Sequence, residues 1–270
     1  MELWTNEHAY LLPGSFVLMA CASYGLSKLL KDKPYHIKII PIKIIGVFLI
    51  QIELMKQIYS LTRDGGYNLF DLPFQFCSFF LVVIPISGFY TGTHKDEVHS
   101  ITCSCCMSLL LLTCIYPNLI YGSYSIKNYF TDFRGFHTVT FHELAIFAYF
   151  IIIGLRIHVP KKIRIVPPVI FAVCFSIFAA LMSNILKENY ANFYTCTVSP
   201  INDVKKQLQI DYGYWGIQIL YIFIVAVVHI VFVIMNYFIY YGIQMLFKII
   251  IGEKDDDDSD TKYDSITNLI

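Results

Sequence analysis

Cysteine and histidine can share covalent catalysis at neutral pH, and here one of each opens an apolar run. Cys77 closes Leu72-Pro73-Phe74-Gln75-Phe76-Cys77, and His142 lies in Phe136-His137-Thr138-Val139-Thr140-Phe141-His142-Glu143. The thiolate is the nucleophilic form, a thiol of ordinary pKa about 8.5 needs a base to form it, and imidazole is that base. If each run is a helix, Cys77 stands roughly 9 Å inside the first, with Pro73 tolerated in the opening turn because its missing N–H would be unpaired there anyway. His142 reaches about the same depth from the same side, and Glu143 or Glu53 could orient its ring. A plainer reading of both residues stands beside this one: buried cysteines pack helices, and a lone histidine is usually a hydrogen-bonded core residue.

Other polar residues collect on the same side. Glu53 and Lys56 share one helical face, as an ion pair or as part of a site. His8 begins the first apolar run there, and Asn184, Asn189 and Asn192 end the sixth. His229 lies midway along the last run and is expected to hydrogen-bond between helices. His36, His94, His99 and His158 fall on the opposite side, outside the site. Cysteines at 103, 105 and 106 form no two CxxC pairs, so no metal site is expected.

The elements that must position these residues are membrane helices. Hydrophobic residues make up 56% of the 270, charged residues 15%, and mean hydropathy is +0.58. Seven stretches reach the length of about 20 residues that a helix needs to cross a hydrocarbon core. They lie near residues 9–27, 38–60, 70–91, 101–122, 137–157, 165–186 and 214–247, separated by polar or helix-stopping segments. The expected fold is all-α, a polytopic transmembrane bundle over residues 1–250, followed by an acidic, disordered tail over 251–270. Glu2 and Glu7 precede the first span where a signal peptide would be basic, so that span is expected to be retained. Thirteen of the 20 Lys and Arg fall on one side, which puts the N-terminus outside or in a lumen and the C-terminus in the cytoplasm. A net charge of zero gives no field for nucleic acid, and none is expected as a partner. The connection from Lys187 to Gly213 is the longest, and the one large enough to fold back over a site.

Leu72-Pro73-Phe74-Gln75-Phe76-Cys77 is similar to the Leu-Pro-Leu-His/Gln-Leu-Cys motif that opens the third span of the YwaF-like integral membrane proteins and their eukaryotic relative, the transmembrane protein 164 family. His142 falls where that family places a histidine in a later span. Asn192-Phe193-Tyr194, followed by Pro200 and Gly213-Tyr214-Trp215, resembles the family's asparagine-aromatic, proline and tryptophan-rich series. Phe193 stands in place of a tyrosine, and Asn189-Tyr190 offers a second register.

This resemblance implies acyl transfer between phospholipid and lysophospholipid, ether-linked lipids included, through a thioester on Cys77 with His142 as base and then acid. Membrane lipids would be donor and acceptor, and no metal or diffusible cofactor is implied. Glu53, Gln75, Asn192, His8 and Glu143 are the candidates for orienting groups or for contacting substrate. Two other readings remain open. In a transporter or channel, Glu53, Lys56, His142 and Asn192 would line a pathway for a small solute or proton. In a seven-span receptor or noncatalytic scaffold, the acidic tail would be the docking site.

Overall fold

Inside a bilayer no water pairs the backbone, so a spanning chain must close its hydrogen bonds within its own helices. The computed structural model describes residues 4–63, 66–159 and 164–251, and these are helical with no strand among them. The acidic tail lies outside the described residues. In chain order the helices are α1 (Asn6–Leu30), α2 (Tyr35–Lys38), α3 (Ile40–Thr62), α4 (Phe80–Phe89), α5 (Lys95–Ile115), α6 (Pro117–Ile120), α7 (Gly122–Lys127), α8 (Phe133–Gly154), α9 (Val166–Leu186), α10 (Ser199–Tyr212) and α11 (Tyr214–Ile251).

Five of these, α1, α5, α8, α9 and most of α11, are long and apolar enough to cross a membrane. The other two expected spans are less regular. α3 has the length, at 23 residues, but carries Lys43, Glu53 and Lys56. The third expected span is not one helix: 3-10 turns at Leu69–Asp71 and Phe76–Phe79 precede α4, which has only 10 residues. Pro73 is the cause, because it lacks an N–H and drives the residue before it out of the α region. Leu72 accordingly sits at φ −59°, ψ 144°, and the Phe74 N–H donates to the Leu72 carbonyl at 2.8 Å. Cys77 therefore rides on a 3-10 turn after a break, not on the second turn of a straight helix.

α5 and α8 are the inner helices, with 61% and 56% of their apolar windows buried, whereas α1 and α11 bury 17% each and leave most of their apolar surface outward. α3 and α4 approach backbone against backbone. A Cβ on Gly46 would lie 2.9 Å from the Pro85 Cα, and one on Gly88 would lie 3.1 Å from the Lys43 Cα. Small residues at such a crossing let two backbones pack directly, which is where membrane helices gain dispersion energy. Gly46→Ala is expected to destabilise the bundle by about 1–3 kcal/mol, read as a lower melting temperature in detergent micelles. Gly14→Ala, whose Cβ meets open space, should leave it unchanged or raised.

A second polar cluster closes the opposite end. The His99 ring is held between the Tyr35 hydroxyl and the Ser87 hydroxyl, each at 2.7 Å, and its centroid is 5.8 Å from that of His158. His158, in the connection after α8, is 6% exposed and stacks on Tyr240. Burial pushes its imidazole down to about 4 despite Asp96 nearby. An unfolded histidine takes its proton near pH 6.5 and the folded one only near pH 4, so stability is lost progressively as pH falls between these values. Thermal melts between pH 7 and 5 should show that slope, and His158→Asn should reduce it.

Candidate functional site

Glu53 is the hub. It lies 7% exposed on α3, and its carboxylate is matched on both oxygens. Lys56 Nζ is 2.7 Å from Oε1, Gln57 Nε2 donates to the same oxygen at 2.6 Å, and His137 Nε2 donates to Oε2 at 2.9 Å. The expected Glu53–Lys56 pair is therefore present, with His137 of α8 as a third member. Gln57 also donates to the Asp71 backbone carbonyl at 2.8 Å and accepts from the Tyr67 hydroxyl. The Asp71 carboxylate takes a hydrogen bond from Ser60 at 2.6 Å and pairs with Arg134 at the start of α8. One end of α3, the segment before Cys77 and one end of α8 are thus bound by charge.

Cys77 lies at the edge of this cluster. It is half-buried, whereas Cys103, Cys105 and Cys106 are sealed in the core. Both Glu53 and Lys56 are within electrostatic range of its thiol, and Lys56 also of His142. No hydrogen bond joins Cys77 to His142 among the described residues. The His142 Nδ1–H donates to the Thr138 carbonyl of its own helix at 2.6 Å, which fixes the tautomer and leaves Nε2 as the basic nitrogen. Neither carboxylate orients that ring. Glu53 is engaged by His137, and Glu143 accepts from the Tyr121 hydroxyl at 2.8 Å.

Tyr121 joins the remaining histidine to this layer. Its ring stands edge-on to His142 at 5.7 Å and lies 6.3 Å from His8. His8 is fully buried and accepts at Nδ1 from the Thr5 backbone N–H, as part of the capping box that starts α1. Gln75 and Asn192 meet through the connection after α9. This connection does fold back: Tyr190 is buried, its hydroxyl donates to the Leu69 carbonyl, and the Ala191 N–H donates to Gln75 Oε1 at 3.1 Å. The strap holds Ala191 at φ 48° and Asn192 at φ 65°, both left-handed, and Tyr221 of α11 donates to the Asn192 carbonyl at 2.7 Å. Asn192 acts here through its backbone and through its side-chain oxygen, which accepts from Asn189 Nδ2 at 3.4 Å. The side chain of Asn189 ties the loop together, accepting from the N–H groups of Tyr194 and Thr195 at 3.3 and 3.0 Å.

Among the described residues His229 makes no hydrogen bond between helices through Nδ1. It packs between the rings of Phe76 and Phe193, at 5.2 and 5.3 Å, with no partner for its buried Nδ1 among the described residues. The residues missed from sequence are His137, Asp71, Arg134 and Tyr121. Asp71 and Arg134 carried a usable signal, being opposite charges at the same-side ends of two apolar runs.

A helical bundle of several membrane-length helices that buries Glu53, His137 and His142 defines a multi-pass integral membrane protein. The chain belongs to the TMEM164 family, which it matches over residues 3–240. That is the family its cysteine motif resembles. No curated protein and no solved structure matches it.

Removing one member of the buried ion cluster strands the others. Glu53→Ala should cost about 3–5 kcal/mol, because Lys56 and His137 lose their acceptor. The double variant Glu53→Met, Lys56→Met should recover most of that loss in the same melting experiment.

Proposed function

We propose that the protein is a membrane-embedded acyltransferase that moves a fatty acyl chain between phospholipid and lysophospholipid through a thioester on Cys77. The observation that carries the reading is that a half-buried thiol on a broken helix and a histidine whose tautomer leaves Nε2 free to accept a proton both border Lys56. A helix break inside a bundle costs backbone hydrogen bonds, and such breaks persist where the chain lines a cavity or a site.

In the forward half-reaction His142 Nε2 takes the Cys77 proton, and the thiolate adds to the donor's ester carbonyl. The C–O bond then breaks, and the departing lysophospholipid oxygen takes the proton from the imidazolium. In the second half the acceptor hydroxyl gives its proton to Nε2, its oxygen adds to the thioester carbonyl, and the Cys77 C–S bond breaks with return of the proton to sulfur. Neither water nor a cofactor enters the balance. Cys77 and His142 must close to hydrogen-bonding distance when lipid binds, a tightening usual between apo and substrate-bound sites. The strap of residues 190–193 supports the reading by holding Gln75, two residues before the nucleophile.

The proposal carries a topology of seven spans, counting α3 and the broken third segment, with the N-terminus outside or lumenal and the C-terminus cytoplasmic. Cys77 would then face the non-cytoplasmic leaflet, reached by both lipids from the side. One observation favours a second reading. A broken helix beside a buried ion cluster is also how secondary transporters build a midplane site.

Both readings are separated by one reconstitution. In proteoliposomes supplied with an isotope-labelled phospholipid and an unlabelled lysophospholipid, wild type should exchange acyl chains, Cys77→Ala should not, and His142→Ala should be slower by about 10²–10⁴-fold. Full exchange by Cys77→Ala would sink the nucleophile assignment. Solute flux abolished by Glu53→Gln and untouched by Cys77→Ala would favour the transporter.

A further inference from the structure

α10 joins α9 to α11, and both of those helices are apolar enough to cross a membrane. Its two ends are therefore held at one membrane surface. Its sequence, Ser199 to Tyr212, separates into faces. Ile201, Val204, Leu208 and Tyr212 repeat at the spacing of one helical stripe and are exposed, Val204 by 59% and Tyr212 by 73%. Asn202, Asp203, Lys206 and Gln207 occupy the arc across from them together with Ile210, which is exposed by 77%, and Asp211 borders Val204.

A third, narrow face fixes the rotation of the helix. Lys205 is 7% exposed and turned inward: its Nζ donates to the Tyr194 carbonyl at 2.5 Å and sits 4.0 Å from the centre of the Tyr221 ring on α11. Gln209 Nε2 reaches Gln218 Oε1 at 3.3 Å one turn further on. With those contacts made, the apolar stripe lies beside the packed face and stays exposed. It runs on into the outward side of α11, where Trp215, Ile219 and Phe223 are exposed by 66%, 63% and 64%. Tyr212, Tyr214 and Trp215 cluster at the junction, the aromatic composition of a membrane–water boundary.

We propose that α10 is an interfacial helix that lies in the plane of the bilayer surface, with the Ile201–Val204–Leu208–Tyr212 stripe seated in the acyl-chain boundary and the acidic and amide arc in water. The occupant of the stripe is lipid, because the stripe leads in chain order into the outward apolar side of a membrane-length helix, whereas the opposite arc holds one apolar residue, Ile210, among polar ones. The seat has a structural consequence. Lys205 grips Tyr194, and the residues just before Tyr194 form the strap bonded to Gln75, so the membrane surface is one of the supports of that strap. This inference needs only the membrane placement of α9 and α11, and stands apart from the acyl-transfer reading.

The test uses the full chain in phosphatidylcholine vesicles, with Trp4→Phe and Trp215→Phe removing the native tryptophans. Val204→Trp places a reporter on the stripe and Lys206→Trp places one on the polar arc, with Leu208→Trp as a second stripe position should Val204→Trp fail to fold. Lipid brominated high on the acyl chain should quench the stripe reporter by at least about twofold more than the arc reporter, and aqueous acrylamide should show the reverse order. Equal quenching at the two positions by either agent would overturn the proposal. So would a stripe shielded from both agents and crosslinked to a second copy, which would make it a protein interface.

Discussion

A carboxylate carried into an apolar bundle has to be matched on both oxygens, and Glu53 meets that demand by drawing in Lys56 and Gln57 from its own helix and His137 from α8. Gln57 then reaches the Asp71 backbone, and Asp71 reaches Ser60 and Arg134. Through one charge, three otherwise separate pieces of chain acquire a fixed register at the level of Cys77. Apolar packing alone would leave them free to slide, since lipid tails compete for side-chain contact nearly as well as a neighbouring helix does.

The break at Pro73 belongs to the same logic. It frees backbone groups between Leu69 and Gln75, and those groups are taken up by the Gln57 amide and by the Tyr190 hydroxyl. A helix interrupted without such partners would leave polar groups bare in an apolar setting. The interruption and the polar cluster are therefore mutually dependent: the cluster satisfies the break, and the break brings Asp71 and Cys77 to the cluster.

Much of the bundle was legible in the sequence because membrane helices announce themselves by length and hydropathy, which are local properties. The runs that became α1, α8, α9 and α11 lie within four residues of their ends, whereas the run expected over 101–122 is displaced by six or seven residues from α5, which starts at the charged Lys95 and stops before Pro117. Hydropathy is blind to dihedral angles and predicts a continuous helix for the third segment, whereas Pro73, instead of sitting in a tolerated first turn, keeps the helix from starting. Glu53 and Lys56 were legible as a pair from their spacing, whereas His137 was not, since its partner lies on a distant helix. Glu143 beside His142 looked like an orienting group for the opposite reason: adjacency in sequence puts two side chains about 100° apart around a helix, and Glu143 turns to Tyr121 instead.

The strap over Gln75 carries a consequence for how freely this region can change. Ala191 and Asn192 both hold positive φ, a conformation that asparagine and glycine accept readily, alanine at some cost, and a β-branched residue hardly at all. The alphabet at those two positions is therefore narrow whatever the side chains do. A few residues later, α10 asks only that an apolar stripe be preserved. Within one connection the chain passes from positions where the backbone dictates identity to positions where only polarity matters. Relatives could drift widely along α10 while keeping the short residues of the strap.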